Sequence, residues 1–446
     1  MSHDTPNAAA PLDDAEGERL MRRVLWRLIP FIFLCYVISY LDRTNVGFAA
    51  ISMNQDLGLT ATLFGWAAGL FFFGYFIFEI PSNLLLQRFG ARVWIARIMI
   101  TWGLVSMATA FATGPISFSI ARFLLGLAEA GFTPGVYLYF TYWFPGKWRA
   151  KATAAFLLGI PVANIVGSPL SGWLLEQHGV WGLKNWQLLL VTEAMPAMLL
   201  GVACLFVLVD TPAKAKWLTA REKAWLSERI SKEQRTIGAS HGNTLRAALT
   251  NPKVFTLAAI NFCCIVGSIG IGIWLPQIIK GLGISNGMVG LVVALPYLLG
   301  AVSMTLWARL ANRSQRRLPY VVAALALAAV ALVAAALTTH PVLRIASLCV
   351  AVASILSFQA TFWAIPSTFL TGRAAAGGLA MIVSIGNLGG FTGPFLIGLI
   401  KDATHSFTLP FFAVASILLI GTCLMIWLGD PAKQQPAQPR ALESHA

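Results

Sequence analysis

Residues 61–92 read ATLFGWAAGLFFFGYFIFEIPSNLLLQRFGAR. From Ala61 to Leu84 the one charged side chain is Glu79, and the stretch then runs into a turn carrying Arg88 and Arg92. A bilayer core about 30 Å thick needs roughly 20 mostly apolar residues per helical crossing. The stretch therefore reads as one membrane crossing closed by a basic turn. Eleven further runs have the same character: 25–46, 91–112, 115–138, 152–175, 187–209, 254–279, 287–310, 318–339, 342–369, 374–400 and 407–429. Composition agrees. Hydrophobic residues make up 57% of the 446 and charged residues 11%, against roughly 25% charged in soluble domains. A soluble multi-domain enzyme, a disordered chain and a collagen-like chain are all excluded.

The longest polar stretch, 210–253, falls between the sixth and seventh runs. The expected organisation is a tail (1–24), six crossings (25–209), a charged linker (210–253), six more crossings (254–429) and a second tail (430–446). Helical spacing of Trp217, Trp225 and Leu226 would let the linker lie on a membrane surface. The net charge of +14 by itself points to nucleic acid or an anionic membrane. Its distribution decides between them. With the N-terminus cytoplasmic, 26 of the 32 basic residues fall in cytoplasmic segments, as the positive-inside rule requires. Lys184, Lys280, Arg344 and Lys401 fall outside, while Arg43 and Arg122 lie within apolar runs. The expectation is a multi-pass protein of the inner (cytoplasmic) membrane, both termini cytoplasmic, working as a monomer and binding no nucleic acid. The polar, acidic start shows no removable signal peptide. The six cysteines all lie in apolar runs and show no zinc spacing.

The chain repeats itself. At an offset of 225, residues 65–92 align with 290–317, pairing Gly65 with Gly290, Arg88 with Arg313 and Arg92 with Arg317. This joins the second crossing to the eighth, as two six-helix halves related by pseudo-twofold symmetry require. Parallel repeats of this kind place a transporter's substrate site at the midplane between the halves.

Asn83 to Arg92 resembles the loop 2–3 signature of the major facilitator superfamily, keeping Arg88, Gly90 and Arg92 but carrying Gln87 where the signature has Asp. The second copy keeps Arg313 and Arg317, with Asn312 for the Asp. A finer resemblance, to the anion:cation symporters of that superfamily, rests on Tyr40-Leu-Asp-Arg-Thr-Asn-Val-Gly-Phe-Ala49, Glu79-Ile-Pro-Ser-Asn83, Arg122 to Glu129 with Pro134-Gly135, and Gly386-Asn-Leu-Gly-Gly-Phe391 with Pro394. It implies the major facilitator fold, an all-α membrane protein of 12 transmembrane helices. It also implies gating loops at Arg88, Gly90, Arg92, Arg313 and Arg317, and transport of a small organic acid such as tartrate, an aromatic acid or a sugar acid. The missing loop acids set aside a charge relay and leave a capping or hydrogen-bonded role.

An ionised group at the bilayer centre costs about 2.5–3.5 kcal/mol on insertion scales, so such residues are usually paired, cavity-facing and functional. Asp42 and Arg43 are expected at the outer part of the first helix. Arg122 and Glu129, seven residues apart, share one face of the fourth, about 10.5 Å apart along its axis. The arginine forks suit carboxylates, so Arg43 and Arg122 are the expected substrate ligands. Asp42 and Glu129 are the expected proton-coupling sites, roles the resemblance also implies. Glu79 and Glu193 read as structural partners. The second half, at the same offset, carries no matching charges. It offers neutral polar groups, of which Asn387 and then Gln359 are the first choices; Ser268, Ser367, Ser384, Asn261 and Gln277 are others. Tyr36, Tyr75 and Trp363 are candidate aromatic walls. The resemblance places Asn in many relatives where this chain has Val383.

Proton-coupled uptake of a small organic carboxylate is the expected function, with H+ as coupling ion and no other cofactor or metal. Export by proton antiport and organic-anion exchange are the alternatives. All six histidines lie in tails or loops, so a polytopic metalloenzyme is not expected.

Overall fold

The computed structural model describes residues 12–239, 251–314, 317–366 and 372–429, with side chains left out for 234–239 and 372–376. Arg316 and Ser367, the side chain of Arg373 and the tails beyond these limits therefore lie outside the described residues. The described chain is helical. Twelve helices are long and apolar enough to cross a membrane. In chain order they are α1 (Asp14–Asp56), α2 (Ala61–Phe89), α3 (Ala91–Thr109), α4 (Pro115–Trp143), α5 (Gly146–Leu174) and α6 (Asn185–Val207). The linker helix α7 (Ala220–Ala239) follows. Then come α8 (Pro252–Lys280), α9 (Asn286–Ser314), α10 (Arg317–Leu337), α11 (Pro341–Phe362), α12 (Gly372–Thr404) and α13 (Thr408–Leu428).

Every apolar run becomes a helix, but several ends differ from the sequence reading. Helix α1 starts at a capping box in which Asp13 Oδ1 accepts from Glu16 N (2.6 Å) and Glu16 Oε2 accepts from Asp13 N (3.0 Å). It then continues to Asp56, well past the expected end at 46. At 1.5 Å per residue, Arg43 stands roughly 20 Å from the far end. Asp42 and Arg43 are therefore deep in the helix and not at its outer edge. Helix α4 is interrupted directly after Glu129, where Ala130 is extended and Gly131 takes φ +87°. A left-handed backbone there favours glycine, and its carbonyl side is tolerated at membrane depth because it is buried in protein. Helix α11 ends at Phe362, short of the expected 369.

Helices α1–α6 pack as one group and α8–α13 as another, joined through α2 with α12, α5 with α9, and α1 with α8. These seams are tied at the end opposite the basic turns. Asp402 accepts from Ala61 N (2.9 Å) and Thr62 N (2.7 Å), capping α2 from the other half. Glu176 accepts from Gly287 N (2.8 Å), and Asn286 Nδ2 donates to Leu175 O (3.3 Å). Small residues let the backbones meet there: a Cβ on Gly172 would lie 2.9 Å from Gly290 Cα, and one on Gly69 2.8 Å from the Phe391 ring.

The linker helix packs on protein, not on a membrane surface as its spacing allowed. Leu226 is fully buried, Trp217 stacks on Trp143 with centroids 5.7 Å apart, and Trp225 covers Gly17. Glu233 pairs with Arg149 (2.9 Å) and accepts from Gly146 N (2.9 Å). Arg221 pairs with Glu16 (2.9 Å), and Arg23 pairs with Glu222. The three Trp/Leu positions find a ready apolar partner in the extended start of α1 and the end of α4, which sequence spacing alone does not reveal.

Two outcomes follow. Burial works against the Glu222 charge, but Thr219 and Arg23 outweigh it and hold the carboxyl below its ordinary value. Its stabilising contribution is present above the ordinary carboxyl range and is lost as pH falls through the lowered value. Hydrogen exchange across 220–233 should accordingly speed up on acidification and not on alkalinisation. At the seam, Asp402→Ala should remove about 1 kcal/mol of capping, a roughly fivefold shift toward the state open at that end. Thiol accessibility of single cysteines introduced along 61–69 reads it.

Candidate functional site

The buried charges of the first half converge between α1, α3 and α4. Asp42, Arg122 and Glu129 are 1%, 2% and 0% exposed, far from the solvated positions that ionised groups normally take. Arg43 Nε donates to Glu129 Oε1 at 2.7 Å, and Ser39 Oγ donates to the same oxygen at 2.7 Å. This interhelical pair closes a loop of chain from α1 to α4. Arg43 also lies against three aromatic rings, with its guanidinium carbon 5.2 Å from the Tyr75 centroid, 5.6 Å from Phe71 and 5.7 Å from Tyr40. Cation–π attraction holds the fork in place when it is desolvated.

Asp42 does not pair with its neighbour Arg43. Successive helical residues point about 100° apart, and Asp42 turns to α3 instead. Ser106 Oγ donates to Asp42 Oδ1 at 2.5 Å and Asn45 Nδ2 donates to it at 3.2 Å. Arg122 lies over the Phe71 ring at 5.1 Å, and both Asp42 and Glu129 act on it electrostatically. Within this cluster two buried donors have no acceptor among the described residues, Arg43 Nη2 and Arg122 Nε. A buried donor left unmade costs about 1–3 kcal/mol, more when charged. These two nitrogens are therefore poised for an incoming acceptor.

Arg43 opens onto a cavity between the halves, lined also by Tyr40, Phe72, Ser268, Tyr297 and Ile355. Its volume is about 40 Å³, room for water but not for an organic acid. The expected ligands divide around it. Gln359 reaches its wall by donating to Ser268 Oγ (3.4 Å). Tyr36 is turned away, stacked on Phe156 at 3.9 Å and edge-on to Tyr40. Asn387 is half-buried on α12 and does not line the cavity. Trp363 caps the basic end of α11, 36% exposed, away from the midplane.

Sequence reasoning missed the serines and the asparagine that hold the acids. Ser39, Asp42 and Asn45 recur every three residues, a stripe on α1 that was legible. Ser106 on α3 and Ser171 on α5 carried no such signal. Ser171 Oγ donates to Glu193 Oε1 at 2.6 Å, so Glu193 does have an interhelical donor. Tyr40 and Tyr297, which line the cavity, were also passed over.

At the basic turns, Gly90 joins α2 to α3 with φ +88°. A Cβ there would lie 2.7 Å from Asp210 Oδ1, and that oxygen accepts from Arg92 N at 3.0 Å. An acid from beyond α6 thus caps α3, although Gln87 replaced the acid within the loop. Arg88 lies over Phe89 at 5.7 Å. Arg317 Nη1 donates to Ala364 O (3.1 Å), tying α10 to the end of α11, while Arg313 is exposed.

Known proteins share this architecture. The family described as Major Facilitator Superfamily matches residues 32–394 and 257–445. A "Putative tartrate transporter" of Agrobacterium vitis is 48% identical over 427 residues, covering 96% of this chain and 93% of that protein. A quinolone resistance transporter of Acinetobacter baumannii is 40% identical, covering 94% and 97%. The partially occluded, inward-open structure of the xylose transporter XylE from E. coli superposes with a TM-score of 0.74 over 93% of this chain and 100% of that one, at 10% identity. Twelve apolar helices in two packed groups, a charged cavity between them and these likenesses lead to one conclusion: the chain belongs to the major facilitator superfamily, a multi-pass membrane transport protein of small molecules and not an enzyme.

Proposed function

We propose that the protein takes up a small organic carboxylate with protons by alternating access. The observation that carries this reading is the Arg43–Glu129 pair beside the interhelical cavity, with Arg43 Nη2 still lacking an acceptor. A substrate carboxylate can use that free nitrogen and then compete with Glu129 for Nε. Once displaced, Glu129 keeps only the Ser39 hydroxyl at a fully buried position. A buried carboxylate without a cation takes a proton more readily than it stays charged. Substrate and proton then enter together, and release reverses both steps. Asp42 and Arg122 form the second charge couple of the same cluster, and the cavity's narrowness fits a site that widens around its ligand. Gln359, through Ser268, is the second half's contribution, with Asn387 reaching the substrate only after α12 shifts.

Energetics favour the coupling. Bringing one negative charge inward against 100 mV costs about 2.3 kcal/mol, which one cotransported proton cancels. With the basic turns cytoplasmic in the inner membrane, the sealed seam is the outer gate and this state faces inward. Arg88, Gly90, Arg92, Arg313 and Arg317 then frame the cytoplasmic gate, and one chain is the working unit. The tartrate-named relative accords with a carboxylate cargo. The quinolone-named relative makes export the second reading. Quinolones are themselves carboxylic acids, so the same arginines would serve, and direction separates the two.

In proteoliposomes, tartrate and other carboxylates should be accumulated faster as the outer pH falls, with the outside turning alkaline. Accumulation only in inverted vesicles would favour export. Glu129→Gln should abolish proton-driven accumulation while sparing counterflow exchange; loss of both would remove Glu129 from a pure coupling role. Arg43→Lys, which forfeits the fork, should weaken carboxylate affinity about 10-fold or more, measured by tryptophan quenching or calorimetry.

A further inference from the structure

The proposed cycle leaves one buried acid unused. Glu193 on α6 is 2% exposed. Its Oε1 accepts from Ser171 on α5 at 2.6 Å, and its carboxyl also meets Asn45 and feels the charge of Asp42. No cation pairs with it among the described residues. The other charged groups on the helices packed around it are accounted for. On α1 these are Asp42, Arg43, held by Glu129, Asp56, which pairs with Lys184 at 3.1 Å at the far end and accepts from Trp186 Nε1 at 2.7 Å, and, at the basic end, Asp14, Glu16, Glu18, Arg19, Arg22, Arg23 and Arg27; on α5 they are Lys147, Arg149 and Lys151, also at the basic end. On α3 they are Arg92 and Arg97, both toward the basic end.

Charge and hydrogen-bond counting converge here. Three carboxyls of the first half are fully buried, Asp42, Glu129 and Glu193, and two guanidiniums stand beside them, Arg43 and Arg122; Glu79, half-buried on α2 toward the basic end, also acts on Arg43 and lies outside this fully buried set. Fully ionised, it carries an uncompensated negative charge in the membrane, which is the costly arrangement. One proton makes it neutral. The hydrogen bonds indicate where that proton sits. Glu129 has its arginine, and Asp42 Oδ1 receives two donors. The second oxygen of each carboxyl, Asp42 Oδ2, Glu129 Oε2 and Glu193 Oε2, is buried without a donor, but of the three Glu193 alone has neither a cation nor a second donor on its other oxygen, and Asn45, whose side chain it meets, carries a bare Oδ1. A single proton on Glu193 Oε2, directed at Asn45 Oδ1, supplies the donor both lack.

We propose that Glu193 is a resident neutral carboxylic acid, and that its proton stays in place through the cycle, fixing Asn45 and hence the orientation of Asp42. It is a positioning residue with no substrate contact. With Glu193 neutral, the cluster starts at zero charge, so each substrate carboxylate that enters calls for one new proton on Asp42 or Glu129. This deepens the carboxylate–proton reading and rests on it for its transport consequence.

The test has an arm that needs no transport. The infrared spectrum of the purified, substrate-free protein, with hydrogen–deuterium shifts, should show the carbonyl band of a buried protonated carboxylic acid. That band should vanish in Glu193→Gln and persist in Asp42→Asn and Glu129→Gln. A band that survives Glu193→Gln overturns the proposal. In proteoliposomes, Glu193→Gln, which mimics the neutral acid, should keep the wild-type proton-to-substrate ratio and pH profile within about twofold. Glu193→Ala, which leaves Asn45 unheld, should lower proton-driven accumulation about 10-fold. A reduced proton ratio in Glu193→Gln would mean that the proton is exchanged, and would also overturn the proposal. If the wild type carries no carboxylate, the proposed function fails while the infrared result still stands or falls separately.

Discussion

An arginine and a glutamate held 2.7 Å apart inside a membrane protein constrain everything around them. Neither can be left alone: removing one partner from a buried pair typically costs 3–5 kcal/mol. The surrounding chain is arranged to keep them together and to leave them exchangeable. Helix α4 stops at Glu129 and restarts past Gly131, so the carboxylate sits at the break in the helix. Three aromatic rings hold the Arg43 fork without using up its hydrogen-bond donors. Because Glu129 takes only Nε, the pair is single-contact and not a closed bidentate fork. That incomplete geometry leaves one buried nitrogen of the fork without an acceptor, the feature on which the proposed competition by a substrate carboxylate rests.

Much of this was legible in the sequence, for reasons that differ by element. Twelve crossings were readable because the bilayer demands apolar length and nothing else supplies it. Intramembrane charges such as Asp42, Arg43, Arg122 and Glu129 stood out because hydrocarbon makes them expensive. Their partners were not readable. Asp42 and Arg43 are neighbours in the chain, yet one faces Ser106 on α3 and the other Glu129 on α4, a division set by helix rotation. Helix ends were also out of reach. The run at 25–46 ends at the polar stretch Asp42 to Asn45, while backbone hydrogen bonding continues to Asp56. The linker misled because an amphipathic face reads the same whether it covers lipid or protein. Trp363 was misplaced because α11 ends at Phe362 and leaves it at the rim.

The capping acids make a related point. The loop after α2 lacks its usual acid, and Asp210 supplies a carboxylate to the same helix start from a distant part of the chain. The function of a motif residue can thus move to another element while its geometry is kept. At the opposite end, Asp402 caps α2 from across the seam. The start of α2 and the start of α3 are thus capped by acids from different halves, Asp402 from across the seam and Asp210 from within the first group. Only the Asp402 cap crosses the seam between the two halves.

The docking of α7 on the first half sets a limit on reach. Residues 210–253 look like a generous connection, but its helix is anchored through Glu16, Arg23, Arg149 and Trp143. What remains between Ala239 and Asn251 is residues 240–250, a contour of roughly 40 Å when fully drawn out. The linker helix is therefore fastened chiefly to the first half, so the chain length that covalently joins the two groups is far less than the polar stretch suggests. Changing the length of 240–250 would alter that connection without touching a single residue lining the cavity.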